Sequence, residues 1–456
     1  MTMELNALKK NIFTHEYDEI NEWISTNYTR LFNPVVLKEI HPLLCDCENL
    51  RLNNFSRLIK AWISFTYGDN IELNKILIIM DRQSLVEKNE ISLMDSLYAL
   101  CGDLISLSIV DKITYGHNAL NILGDDHESL FFANANLTLG QLYSAKNSYH
   151  DAVNYFNKAH RAFSKLDCEF LAILADVNRL LNMFKLGEYN VVIDDANRAL
   201  HRFASFRQSE VNNDSQMDSL SFIYHLPIGM SLVEMGKLDV SLHHLSKFKD
   251  NLDPLEFFHM HGLIEWTYLK ALFLKKAYPI LETELIRLRK KFGAMNSIFI
   301  SVIFDYYELL ISYESSMDSN PVTLEKTVLL LEKHADQMNF ITVEMMIELQ
   351  LRGIHIFFSK SEINQLYDSV RNFNIIPLIS IVTRLLNQTE MDITHREIEI
   401  LELAARGLSN DAIGKELFIT TGTVKWHLNN LYSKLNVRNR VQAIEKVKSL
   451  NIKLNT

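Results

Sequence analysis

Helix start and stop signals are so dense between residues 393 and 447 that only short helices joined by tight turns can satisfy them. Thr394, followed three residues later by Glu397, forms a capping box in which each side chain satisfies a backbone N–H that the helix start orphans. Ile398, Leu401, Ala405 and Leu408 then recur at helical spacing. Gly407 suits the left-handed residue that ends a helix. Ser409 caps a second, short helix with Ile413 and Leu417 facing inward, and Phe418-Ile419-Thr420 makes the brief connection that a helix-turn-helix needs. Thr420 caps a third helix. Asn439 and Gln442 form another cap pair before a fourth, whose apolar edge is Ile444, Val447 and Leu450.

The third helix has two faces of different chemistry. At about 100° per residue, Val424, Leu428, Leu431 and Leu435 fall within about 60° of one another. Gly422, Trp426, Asn429, Asn430 and Ser433 lie opposite, with Lys425 on the flank. A lone amphipathic helix is usually just a solvated one. With two capped helices and a turn before it, this one has the geometry that enters a DNA major groove. Asn429 is suited to pairing with adenine N6/N7, Lys425 to donating to guanine or a phosphate, and Trp426 to packing on a thymine methyl. The base-contacting residues are therefore expected to be Lys425, Trp426 and Asn429. Further or phosphate contacts are expected from Thr420, Thr423, Asn430, Ser433, Lys434, Arg438 and Arg440. Thr420 also serves as a cap, and Trp426 has packing as its alternative role.

This segment resembles the LuxR/FixJ family of bacterial transcription regulators. The family pattern is met by Thr394, Arg396, Glu397, Leu401, Ala404, Gly407, Ser409, Asn410, Ile413, Leu417, Thr423, Val424, Lys425, His427, Lys434, Leu435, Val437, Arg440 and Ala443. The resemblance implies base contacts at Lys425, Trp426 and Asn429, in agreement with the helical wheel. It covers about one seventh of the chain. Asp411, Ala412, Gly414 and Asn436 depart from the usual residues. Gly inside a helix costs ~1 kcal/mol, whereas Asn tolerates left-handed backbone. These departures bear on affinity and site preference rather than on the fold.

Charge concentrates the DNA reading at the same end. Residues 415–456 carry a net +6 and residues 390–414 a net −4, in a chain whose total is −10. The remaining 389 residues, at −12, would be repelled by phosphate. That acidity reads as a solvated surface. Only 14 Gly and 7 Pro in 456 residues favour helices throughout.

Before residue 390 a repeat emerges. Leu139, Gly140, Tyr143, Ala152, Phe156 and Ala159 have the spacing of a tetratricopeptide, a pair of helices joined by a tight turn. Echoes aligned on Tyr149, Tyr189, Leu238 and Tyr278 step by 40, 49 and 40 residues, longer than a strict 34-residue repeat. About nine such pairs would fill residues 1–386. This part resembles the helical-repeat sensor region that precedes the same kind of DNA-binding domain in activators of the maltose-regulon (MalT) type.

Other inputs and chemistries are excluded by absence. No phosphate-binding G-x-x-x-x-G-K-[ST] loop occurs, so the ATPase module of those activators is missing. Gly124-Asp125-Asp126 reads as a loop rather than a phosphoacceptor pocket, since no strands surround it. The N-terminal half does not read as an acyl-homoserine-lactone domain. No nucleophile elbow, H-E-x-x-H or glycine-rich cofactor loop is present, so neither enzyme activity nor a cofactor is expected. Cys45, Cys47, Cys101 and Cys168 lack zinc or disulfide spacing, and His259-x-His261 and His243-His244 lack further ligands, so no metal site is expected. Aromatics such as Trp266 and Tyr268 read as inter-repeat core, and no ligand residue is named. The N-terminus lacks a signal-peptide apolar core, and Ser297–Tyr313 contains Asp305 and Glu308, so a membrane span is not expected and the chain reads as cytoplasmic.

The expected fold is all-α: a tetratricopeptide-like superhelix over 1–386, a linker over 387–392 and a small four-helix LuxR-type helix-turn-helix domain over 393–456. The expected function is sequence-specific transcription regulation, as an activator, controlled by a protein, peptide or small-molecule effector in the repeat groove. Expected partners are double-stranded DNA, RNA polymerase and a second copy of the chain on DNA, with no membrane. The alternative is an adaptor whose terminal domain docks on protein. A further one keeps DNA binding but makes the repeats an oligomerisation scaffold.

Overall fold

The computed structural model describes residues 2–32, 34–67, 69–101, 107–124, 129–209, 222–251, 258–292, 298–314, 328–329, 331, 340–352, 354, 357–372, 375–390, 393–435 and 437–449. Among these no strand occurs, and α-helices follow one another along the chain. The first are α1 (Thr2–Phe13), α2 (Tyr17–Asn27), α3 (Pro34–Cys45), α4 (Asn54–Tyr67), α5 (Asn70–Ile79), α6 (Lys88–Cys101) and α7 (Ile109–Leu123). The longer repeat helices are α8 (Leu130–Ala145), α9 (Tyr149–Lys165), α10 (Glu169–Lys185), α11 (Tyr189–Ser209), α12 (His225–Glu234) and α13 (Leu238–Asn251). Then come α14 (Phe258–Leu274), α15 (Tyr278–Phe292), α16 (Ile298–Glu314), α17 (Phe340–Leu351), α18 (Lys360–Asn372) and α19 (Ile376–Glu390). The last four are α20 (His395–Ala405), α21 (Asn410–Glu416), α22 (Thr421–Leu435) and α23 (Arg440–Ser449).

Sequence neighbours pack as hairpins, among them α6 on α7, α8 on α9, α12 on α13 and α18 on α19. The turns explain why. At Asn147, Gly187, Gly236 and Lys276 the backbone has φ of 63°, 79°, 73° and 59°. One residue later an N–H donates back five residues: Ser148 to Tyr143, Glu188 to Met183, Lys237 to Leu232 and Ala277 to Leu272, at 2.8–3.1 Å. That is the Schellman closure of a helix end. Each left-handed residue stands two before Tyr149, Tyr189, Leu238 or Tyr278, the positions on which the repeat aligns. Two of the four left-handed residues are not glycine.

Within the α8–α9 hairpin, Leu139, Ala152, Phe156 and Ala159 are fully buried. A Cβ on Gly140 would lie 2.7 Å from the Phe156 ring, so the glycine is what lets the two helices approach. Tyr143 stacks on Tyr155 with ring centroids 5.2 Å apart, and its hydroxyl is 3.1 Å from His117 Nε2. Trp266 on α14 meets Tyr306 and Tyr307 on α16 at 5.5 and 5.4 Å, an aromatic layer between neighbouring helices.

The chain divides into two compact units. One comprises Met1–Phe184 with Glu188–Phe257, the other Lys185–Gly187 with Phe258–Thr456. Helices from Phe258 onward thus group with the C-terminal domain. The segment 387–392, expected as a linker, is helical through Glu390, while 391 and 392 lie outside the described residues. Gln388 is buried, and its carbonyl accepts from the Ile393 N–H at 3.1 Å. Asp125, Asp126, Asn436 and Leu450 also lie outside the described residues. No described helix is long and apolar enough to cross a membrane.

Candidate nucleic-acid interface

The capping box that opens α20 is complete. Thr394 Oγ1 accepts from the Glu397 N–H, and Glu397 Oε2 accepts from the Thr394 N–H at 2.8 Å. The helix ends at Gly407, φ 91°, with the Leu408 N–H bonded to the Leu403 carbonyl. Ser409 caps α21 through the Ala412 N–H at 3.2 Å. Its end repeats the same closure at Phe418, φ 54°, with the Ile419 N–H donating to the Gly414 carbonyl at 2.9 Å. A Cβ on Gly414 would lie 2.7 Å from the Ile419 carbonyl oxygen, so this departure matches the tight turn of this chain.

Thr420 Oγ1 accepts from the Thr423 N–H at 3.1 Å and starts α22. Val424, Leu428, Leu431 and Leu435 are buried, and α22 packs through them on α20, α21 and α23. Two small cores result. Ile400, Leu403, Ala404, Ile413, Val424 and Leu428 fill one; Ile393, Ile398, Leu401, Leu431, Leu435, Ala443 and Val447 fill the other. At roughly 1.5–3 kcal/mol per buried aliphatic side chain, these stripes fix the rotation of α22 about its axis.

That rotation turns Lys425, Trp426 and Asn429 outward. Trp426 is 60% exposed, and Lys425, Asn429 and Ser433 are also exposed. Asn430 and Thr423 are half-buried; Thr420 and Arg438 are exposed. Trp426 meets only the edge of His427, with centroids 4.9 Å apart, among the ring contacts of the described residues. Packing as the main role of Trp426 does not fit that exposure.

Two expected phosphate contacts point elsewhere. Lys434 Nζ donates to Glu397 Oε2 at 2.8 Å, and Glu397 is only 3% exposed. Arg440 donates to the Leu408 carbonyl at 2.8 Å and also to the Ala404 carbonyl, closing the end of α20. Their charges are engaged in holding the domain together, because each stands where a neighbouring helix presents an acceptor. The Asn439 cap accepts from the Gln442 N–H at 2.9 Å, whereas Gln442 Oε1 reaches Arg438 N–H one residue earlier than a standard box would place it.

Asp411, the acidic departure, is locally matched. The Lys415 ammonium, 3.0 Å away, holds its carboxyl below the usual carboxylate range, aided by a contact from Thr421 Oγ1 at 3.4 Å. Phe418, read from sequence only as part of the connection, is 93% exposed at the turn between α21 and α22.

A second cleft, charged and unnamed by sequence, lies between α9, α10 and α11. Its lining includes His160, Asp176, Arg179, Asp195, Arg198 and Arg202. Arg179 pairs with Asp176 and Asp195 at 2.8 and 2.9 Å, and the Tyr224 hydroxyl donates to Asp176 at 3.0 Å. The i, i+3 pairs Asp176 with Arg179 and Asp195 with Arg198 were its sequence trace.

Comparison with known proteins agrees with the geometry of the last four helices. Residues 391–447 match the family described as GerE, bacterial regulatory proteins, luxR family. Transcriptional regulatory protein LiaR of Bacillus subtilis (strain 168) is 57% identical over 51 residues, 11% of this chain and 24% of that protein. Transcriptional regulatory protein LnrK of the same organism is 53% identical over 53 residues, 12% of this chain and 24% of that protein. The chain thus spans about a quarter of the length of these curated relatives. A solved structure of a Rap protein complexed with competence and sporulation factor is similar over 85% of this chain and 99% of its own, with a TM-score of 0.48 and 14% identity. At its C-terminal end, over residues 391–447, the chain carries a luxR-family helix-turn-helix domain.

Proposed function

We propose that this protein is a sequence-specific DNA-binding transcription regulator of the cytoplasm, an activator, whose helical-repeat region receives a signal. The observation that carries the reading is the orientation of α22. Its leucines and Val424 are buried while Lys425, Trp426 and Asn429 face solvent. Donors and an aromatic edge on an exposed helix face after a tight turn are what major-groove readout needs. The luxR-family match of this segment, and relatives named as transcriptional regulatory proteins, support it. In this reading Thr420, Thr423, Asn430, Ser433 and Arg438 supply further or phosphate contacts, while Lys434 and Arg440 hold the domain together.

Control would come through the repeats, in the architectural manner of the maltose-regulon type of activator but without its ATPase module. The charged cleft at Asp176, Arg179 and Asp195 is the effector site we favour, since ion-paired groups there offer both signs of charge to a peptide or zwitterionic ligand. A second copy of the chain on DNA would set half-site spacing, and RNA polymerase would be recruited nearby. Genome-wide mapping of bound sites tests the reading. Discrete peaks sharing a motif, lost with Asn429→Ala, are expected; uniform or absent occupancy would contradict it.

A further inference from the structure

Away from the DNA-facing domain, three side chains converge in the first unit. His41 and Cys45 stand four residues apart on α3 and so share one helix face. Asp69 precedes α5 and caps it: Oδ1 accepts from the Glu72 N–H at 3.0 Å. Its second oxygen, Oδ2, lies 3.3 Å from His41 Nε2 and 3.9 Å from Cys45 Sγ. Cys45 Sγ lies 3.6 Å from His41 Nε2.

These distances are the edges of a coordination polyhedron. Tetrahedral zinc, with bonds of about 2.0–2.1 Å to nitrogen, about 2.0–2.2 Å to carboxylate oxygen and about 2.3 Å to sulfur, separates its donors by roughly 3.3 Å for N–O, 3.6 Å for N–S and 3.5 Å for O–S. Two edges agree, and the third is a few tenths of an ångström long. As hydrogen bonds the two sulfur contacts are weak. The donor set also selects the metal: a thiolate, an imidazole and one carboxylate suit zinc, whereas magnesium and calcium take oxygen shells. His41 is buried, Asp69 is partly exposed and Cys45 is exposed, so the remaining position opens to solvent. The nearby ammonium of Lys60 is matched by Glu72 at 2.8 Å.

We propose that His41 Nε2, Cys45 Sγ and Asp69 Oδ2 form a zinc(II) site with water in the fourth position, tying the end of α3 to the start of α5. Binding sends the Cys45 thiol proton to solvent, and the stability of this part of the chain becomes dependent on zinc. The site stands independently of the DNA-binding reading.

Cobalt(II) added to the reduced, metal-free full chain should give one equivalent of tetrahedral d–d absorption with a thiolate-to-cobalt band, displaced by zinc. Cys45→Ser should abolish the thiolate band, and Cys47→Ser should leave it. Asp69→Asn keeps a cap acceptor for α5, yet should weaken zinc in chelator competition by at least the ~tenfold that losing even an outer-shell partner produces. The proposal is overturned if the folded chain gives no thiolate band, if the band survives in Cys45→Ser or vanishes in Cys47→Ser, or if Asp69→Asn binds zinc as tightly as the parent.

Discussion

Glu397 concentrates the residue-scale logic of the C-terminal domain. Its buried carboxylate accepts from both the Thr394 N–H and the Lys434 ammonium. Removing it breaks both the cap bond and the pair with the Lys434 ammonium, so Glu397→Ala should destabilise the domain by roughly 1–3 kcal/mol. Faster hydrogen exchange along α20 and α22 is the measurement, and unchanged protection would contradict it. Arg440→Ala should likewise act on stability rather than on the salt slope of DNA binding, because its guanidinium bonds to backbone carbonyls of α20 and the following turn. The two faces of α22 were legible from spacing alone. The inward turn of Lys434 and Arg440 was not, because a family pattern lists residues without saying where their charges point. The proposed metal donors leave no sequence signature for a related reason: Asp69 lies 24 residues along the chain from Cys45 and is brought to it only by folding.

At the scale of elements, turns and close approaches decide. Gly140→Ala would place a methyl 2.7 Å from the Phe156 ring, and overpacking of this kind costs about 1–3 kcal/mol, read as a lower urea midpoint for the full chain. An unchanged midpoint would show that α8 and α9 slide apart without cost. The α12–α13 hairpin carries a different sensitivity. His225 Nδ1 lies 2.8 Å from His244 Nδ1, and burial, with the neighbouring His244 and Lys247, pushes the His225 pKa down to about 4. Between that value and the unfolded value of 6.5 the folded chain holds fewer protons than the unfolded one. Stability therefore falls as pH drops through this window, by up to about 3 kcal/mol. His225→Asn should remove that component, making the variant's stability flatter than the parent's between pH 6.5 and 4; parallel curves would contradict it. The repeat was legible in side-chain spacing aligned on Tyr149, Tyr189, Leu238 and Tyr278, but the left-handed closure two residues earlier was not, because Asn147 and Lys276 hide it behind residues other than glycine.

For the molecule as a whole, charge and domain grouping set what the proposed DNA binding can look like. Attraction to phosphate must come from the last helices, since the first 389 residues carry a net −12. The all-helical class was legible from scarce glycine and proline and from periodicity. The unit division was not, because its boundary between Phe257 and Phe258 falls inside the stretch that reads as one continuous helical-repeat region. The most direct test measures full-chain binding to a selected duplex against salt, for the parent, Lys425→Ala and Asn429→Ala. Binding should weaken steeply with salt. Lys425→Ala should reduce the slope by about one, and Asn429→Ala should cost ~1–3 kcal/mol of discrimination with helical content intact. Salt-independent binding, or variants that select and hold the same sequence as tightly as the parent, would contradict the assigned reading face.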